Sequence, residues 1–210
     1  MGASVIQNCS NKGSISGTQY VGGICGQTAS TTYVINCINY GNVSGKDRVG
    51  GITGSNSGIK DGISVDQCVN DGNVSADENN VGGISGYVQK TVSNCYNTGT
   101  VLGKKGDSST GIGGIAGYVL SSQVTNCYNI GLVRCSVDDA ATRIGSVVGF
   151  WSSNYSSEGN YYLKDDINGI GFCSYPDKAS DKTESKTIDE LKALAPTLGD
   201  AYVADTYQIN

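Results

Sequence analysis

Two residue types with distinctive chemistry recur at a fixed phase along this chain. Cysteine stands at 9, 37, 68, 95 and 127, and asparagine follows two residues later at 11, 39, 70, 97 and 129. A thiolate can ligate a soft metal or attack an electrophile, but structural zinc sites draw on closely spaced ligand pairs such as Cys-x-x-Cys. No such pair occurs here, and the chain contains no histidine, which removes the commonest general base and the commonest catalytic zinc ligand. No metal and no cofactor are therefore expected. Cys9, Cys37, Cys68, Cys95 and Cys127 read instead as a ladder of buried thiols, since a reduced cysteine behaves as a small hydrophobe. A bridge between rungs stays open at this point: adjacent strands lie about 4.8 Å apart, and disulfide Cα separations run from roughly 4.4 to 6.8 Å.

Two other sets of residues could do chemistry. Asp138 with Asp139 and Asp165 with Asp166 are the candidates for a carboxylate pair of the kind that hydrolyses glycosidic bonds. They sit in irregular segments, where an adjacent Asp-Asp reads more simply as a solvated turn or a weak calcium site. The expectation is therefore no enzyme, with a polysaccharide-active enzyme as the alternative. The glycine pairs Gly22-Gly23, Gly50-Gly51, Gly82-Gly83 and Gly113-Gly114 could cradle phosphate, yet none opens a helical pattern or ends in Lys-Ser/Thr. A net charge of −5 with scattered Lys and Arg lacks the basic footprint that nucleic acid requires. No apolar run approaches the twenty or so residues of a membrane span, so no membrane insertion is expected within these residues.

The elements that position these residues are copies of one unit. Val-x-Asn-Cys-x-Asn-x-Gly-x-Val, seen complete at Val92 to Val101, returns at Ile6, Val34, Val65 and Val124, with a degenerate copy at Gly159 to Tyr162 where Tyr161 takes the cysteine's place. Each copy is followed by a second block, Val21 to Gly26, Val49 to Gly54, Val81 to Gly86, Ile112 to Gly117 and the looser Ile144 to Gly149. Cysteine-to-cysteine spacings of 28, 31, 27 and 32 residues, then 34 from Cys127 to Tyr161, with length variation confined between the blocks, mark a solenoid. Only 38% of the residues are apolar while 31 are glycine, which points to recurring turns in an array.

Counting from the cysteine, positions 0, 2, 4 and 6 share one side of an extended strand, and the odd positions are variable and mostly polar. The fixed phase should face inward. Asn11, Asn39, Asn70, Asn97 and Asn129 would then pair their amides from rung to rung, as asparagine ladders do in stacked parallel strands. Within the glycine-rich block the flanking Val and Ile are three residues apart. Both can point inward only if the backbone bends between them, which glycine permits through positive φ.

Two outward columns become aromatic toward the C-terminus: Tyr96, Tyr128 and Tyr162 after the cysteine, and Tyr87, Tyr118 and Phe150 after the second block. They read either as a stacking surface for a glycan or protein or as a face over which the C-terminal segment folds back, and the second is the expectation. The repeat ends at 162. Residues 163–210 read as a capping segment, in which Thr187-Ile188-Asp189-Glu190 is a capping box opening a helix over about 188–195. A cap suits the apolar end and open edge of a stack.

Val81-Gly82-Gly83-Ile84-Ser85-Gly86 followed by Asn94-Cys95-Tyr96-Asn97-Thr98-Gly99 resembles the GLUG-motif repeat family, over about residues 5–162. Such repeats occur in large bacterial surface proteins, adhesin-like proteins and some immunoglobulin A peptidases among them. The tail, from Asn160 through Leu198-Gly199 to Asn210, is similar to the ending of clostridium-like surface proteins in which the chain runs further, so Asn210 reads as a truncation. The resemblance implies an exported β-solenoid module, extracellular or on the bacterial cell surface. It does not imply peptidase activity, because the His-Glu-x-x-His helix is absent. No signal peptide precedes the first repeat, so residues 1–210 read as a piece of a longer surface protein. The expectations are an all-β, single-stranded parallel β-helix of about five to six coils over residues 4–162, with a short C-terminal helical cap. This is read as a non-catalytic stalk or binding face for a glycan or a host or bacterial surface protein.

Overall fold

The computed structural model describes residues 3–29, 31–57, 63–104, 110–137, 143–155, 157–164, 167–175 and 183–194. Each repeat makes one coil of a parallel β-solenoid, and each coil contributes one short strand to each of five sheets. In the second coil these are Thr32–Ile35, Ile38–Asn39, Val43–Gly45, Asp47–Gly50 and Thr53–Asn56. Numbered in that order, sheets one, three and four have five strands, sheet five has six and sheet two has seven, every pairing being parallel. Seven strands at about 4.8 Å give sheet two a length of about 29 Å.

The register is that of the repeat itself. Val43 pairs with Val74, Val74 with Val101 and Val101 with Val133, so identical residues stack through the coil. The expected single strand from position 0 to position 6 is corrected in one respect. A corner precedes the cysteine and a second separates the asparagine from the valine, which puts these residues in sheets two and three. The first corner is made by Asn8, Asn36, Gln67, Asn94 and Asn126, all at φ between 51° and 56°. Asparagine tolerates this left-handed region better than most residues, which explains a recurring Asn that alternation alone left unexplained.

The inward phase holds despite the corners. Cys37, Cys68, Cys95 and Cys127 are fully buried, as are Asn39, Asn70 and Asn97, and Val49 and Ile52 both point inward across the glycine pair. The buried side chains form two apolar columns. One is lined by sheets one and five with the cysteines and Ile52, Ile84 and Ile115; the other by sheets three and four with Val43, Val49, Val74 and Val81.

Between the columns the two walls nearly touch, and this gives the glycine pairs their role. None of them has positive φ, which among the described glycines is found at Gly159. The conformational reason expected from sequence is therefore replaced by a steric one. A Cβ on Gly51 would lie 2.2 Å from Asn70 Cγ and from Gly83 O; on Gly83 it would lie 2.4 Å from Asn97 Cγ and 2.1 Å from Gly114 O. The first glycine of each pair abuts backbone in the same way, Gly82 meeting Ser85 O at 2.1 Å.

The sheets do not stop where the repeated sequence does. Tyr161–Leu163 joins sheet two, Ile170–Cys173 pairs with Val148–Ser152 in sheet five, and Glu184–Lys186 pairs with Tyr161–Leu163. The described part of the C-terminal segment thus extends the stack instead of folding back over the aromatic columns, because its strands satisfy open sheet edges. The helix, Ile188–Leu194, buries Leu191 and packs on these last strands. Its capping box is formed: Glu190 N–H donates to Thr187 Oγ1 at 3.3 Å, and Thr187 N–H donates to Glu190 Oε2 at 2.7 Å.

Replacing Gly83 by Ala therefore pushes a methyl group into both the Asn97 amide and the Gly114 carbonyl. Urea unfolding of the variant is expected to show a loss of about 3 kcal/mol or more, the upper part of the overpacking range.

Candidate functional site: inner ladders and outer columns

The asparagine ladder is continuous. Nδ2 of Asn11 donates to Oδ1 of Asn39 at 2.8 Å, Asn39 to Asn70 at 2.7 Å, Asn70 to Asn97 at 2.6 Å and Asn97 to Asn129 at 2.8 Å. The second Nδ2 proton is used within the coil, on the carbonyl two residues ahead: Gly41 from Asn39, Gly72 from Asn70 and Gly99 from Asn97, each at 2.7 Å. Each amide thus ties two coils together and also closes the corner between sheets two and three. No donor of the Asn39, Asn70 and Asn97 amides is left over, which is the condition for burying them without penalty.

The cysteines form a second ladder. Cys9, Cys37, Cys68, Cys95 and Cys127 are free thiols; all are buried as expected except Cys9, which is exposed in the first coil. Each buried thiol donates to the carbonyl two residues back, Cys68 to Asp66 at 3.2 Å and Cys95 to Ser93 at 3.0 Å. Its sulfur also accepts the cysteine N–H of the preceding coil: Cys68 N–H to Cys95 Sγ and Cys95 N–H to Cys127 Sγ, both at 3.4 Å. Beyond Cys127 the acceptor is Asn160 Oδ1, at 3.2 Å. The thiol is therefore more than a small hydrophobe, because it terminates a backbone donor stranded by the left-handed corner. Burial, followed by the neighbouring thiols of Cys127 and Cys68, holds Cys95 well above the ordinary thiol range. A hydrogen bond with Cys68, then burial, raises Cys37. Held neutral and hydrogen-bonded, Cys37 and Cys95 are poor nucleophiles.

The outer columns are where the sequence placed them, with one correction. Tyr128 pairs with Tyr161 and Asn129 with Tyr162, so Tyr161 continues the Tyr96 and Tyr128 column while Tyr162 occupies the ladder position of asparagine. The degenerate copy is shifted by one residue because Asn160 supplies the acceptor that the cysteine supplies elsewhere. Tyr96 and Tyr128 stack with centroids 4.9 Å apart and planes 1° from parallel. Tyr87 stacks on Tyr118 at 5.1 Å and 14°, and Phe150 meets Tyr118 edge-on at 4.6 Å. The tyrosine pairs turn their faces toward one another along the axis and are half-buried, whereas Phe150 is buried. Burial, then the neighbouring Tyr118, raises the Tyr87 phenol, which keeps it a protonated donor at neutral pH.

Sequence reasoning missed the residues that complete the second column. The position just before each glycine-rich block holds Tyr20, Arg48, Asn80, Gly111 and Arg143. The Arg48 guanidinium lies 4.9 Å from the ring centroids of both Tyr20 and Tyr87; that of Arg143 lies 4.0 Å from Phe150 and 4.1 Å from Phe172. The two rows merge because a glycine precedes each outward residue of sheet five. A Cβ on Gly86 would lie 2.6 Å from the Arg48 carbonyl carbon, and one on Gly149 would lie 2.6 Å from that of Gly111. The alternation of Arg with aromatic residues was visible only by aligning this position across the copies. The four candidate carboxylates, Asp138, Asp139, Asp165 and Asp166, lie outside the described residues. Among the described residues no group of three or more potential metal ligands comes together.

Two measurements test the inner ladders. Asn97→Ala leaves Asn70 Nδ2 and Asn129 Oδ1 without their partner, and chemical denaturation should register a loss of about 2 to 4 kcal/mol. The buried Cys95 thiol predicts a pH effect. Below the unfolded thiol pKa of about 8.5 both states are protonated and the stabilisation is complete. Above it the unfolded chain releases protons that folded Cys95 retains, so stability declines by at most about 1.4 kcal/mol per pH unit per thiol. Melting temperatures should be level from about pH 7 to 8 and fall from about pH 9, less steeply in Cys95→Ala.

The family described as the GLUG motif matches residues 77–102, a span that contains one complete glycine-rich block and one complete cysteine block. No curated protein matches the chain. Among solved structures, the chain is similar to the crystal structure of a candidate immunoglobulin A1 protease from Bacteroides ovatus. The two share 21% identity over 92% of this chain and 68% of that one, with a TM-score of 0.64. At that identity the likeness is one of fold, and it matches the parallel stack described above. Residues 77–102 are thus a GLUG motif, and its blocks pair in register with their counterparts in the neighbouring coils of the β-solenoid.

Proposed function

We propose that the chain is a non-catalytic module of a bacterial surface protein, serving as a stalk and as a binding face for a glycan or a protein partner. The observation that carries this reading is how the repeated polar groups are used. Asparagine amides and cysteine thiols are spent on holding coil to coil, whereas a catalytic site needs such groups held open toward substrate. What varies from coil to coil faces outward, and there the two aromatic columns are the extended features. The GLUG motif and the fold shared with the Bacteroides ovatus protein support a surface or secreted setting.

A printed array of glycans and extracellular-matrix proteins tests the binding face. The chain is expected to be retained by at least one class of ligand. That retention should be lost when Tyr87, Tyr96, Tyr118 and Tyr128 are all changed to Ser, with a cooperative melt showing that the stack survives. A blank array overturns the binding face, and retention by the fourfold variant moves it off the columns.

A further inference from the structure

The strip formed where sheet five crosses the entry to sheet four is built unlike a sugar-stacking platform. Tyr87, Tyr118 and Phe150 are covered by each other, and Arg48 and Arg143 each lie sandwiched between two rings. A ring or guanidinium whose face is covered still presents its edge. For the two arginines and the two tyrosines that edge carries N–H and O–H donors. Phe172, 42% exposed and edge-on to Phe150 at 5.1 Å, closes the C-terminal end of the strip. A row of donors with covered faces selects a ligand rich in acceptors over one that offers an apolar face.

The two guanidiniums are not equivalent. Arg48 donates from Nη1 to the Tyr20 hydroxyl; its Nε is likewise buried without a hydrogen-bond acceptor, but lies 3.8 Å from Asp47, which offsets part of its charge. Arg143 has no ion-pair partner among the described residues, and its Nη1 is buried there without a hydrogen-bond acceptor. Arg48 stands in the second strand of sheet four and Arg143 immediately before the fifth, Ile144–Gly145, so three rungs, about 14 Å, separate them along the axis. The flanking glycines leave no room for the strip's floor to shift, since backbone already meets backbone there.

Resting on the binding-face reading, we propose that this strip binds an anionic polysaccharide, carboxylated or sulfated, laid along the solenoid axis. Arg143 is its principal anchor and Arg48 a second one three rungs away. Stacking between rings holds each guanidinium in place before the ligand arrives, which lowers the ordering cost of bidentate recognition.

Isothermal titration of the full chain with polygalacturonate, heparin fragments and uncharged dextran of similar length tests this. Expected is binding to at least one anionic chain that weakens between about 50 and 300 mM salt, with none to dextran. Arg143→Gln should weaken it about tenfold, Arg48→Gln by less, and Arg143→Lys should lie between wild type and Arg143→Gln because it keeps the charge without the fork. Melting curves establish that each variant is folded. The proposal is overturned if dextran binds as tightly, if Arg143→Gln binds unchanged, or if none of the three probes binds. In the last case, retention of another ligand on the array leaves the binding-face reading intact, whereas a blank array removes both.

Discussion

The asparagine amide between the two apolar columns is the constraint from which most of this fold follows. Once placed inside, it has to use both protons and its oxygen, and parallel stacking in register does this with partners of the same kind. An amide in that position also fills the space between the walls, so the residue opposite can have no side chain. Hence Gly23 faces Asn39, Gly51 faces Asn70, Gly83 faces Asn97 and Gly114 faces Asn129. The Gly-rich block and the Asn-containing block are two sides of one contact. That is a physical reason for the two blocks to recur together, and for the matched motif to span both.

A second constraint arises at the corner before the cysteine. A left-handed residue turns the chain sharply but removes the next N–H from the ladder of strand pairs, and that donor is buried. The thiol of the next coil accepts it while donating its own proton to a nearby carbonyl. Serine could make similar bonds, but it would be smaller and would fill less of the apolar column in which Cys68 and Cys95 pack. Where the thiol is missing, in the sixth coil, Asn160 provides an oxygen at the same place and the strand shifts by one residue.

Most of the architecture was legible because identical residues stack in a solenoid, so phase in the sequence is phase in space. The inward face and the ladders could be read that way, and the helix cap at Thr187 from its capping box. Three features could not. The corners were hidden because alternation with period two continues through them. The role of the glycines was misassigned because steric room and positive φ call for the same residue. The strands at Ile170–Cys173 and Glu184–Lys186 carry no copy of the motif, and pairing with an open edge asks little of side chains. Of the outer surface, the tyrosines of the columns were visible in the sequence. Arg48 and Arg143 were not, because they belong to a column whose other members are Tyr, Asn and Gly.

Stacking also limits what the outside of such a protein can offer. Side chains at equivalent positions are spaced by the strand separation, about 4.8 Å, which is close to the distance at which aromatic rings lie face to face. An outward column of tyrosines in consecutive coils therefore closes on itself, as Tyr96 and Tyr128 do. Ring faces become part of the scaffold, and only edges remain for recognition. Inserting an arginine between rings keeps the column closed while replacing a hydrocarbon edge by one rich in donors. In this fold the chemistry of an exposed face is thus set less by how many aromatic residues it carries than by what stands between them.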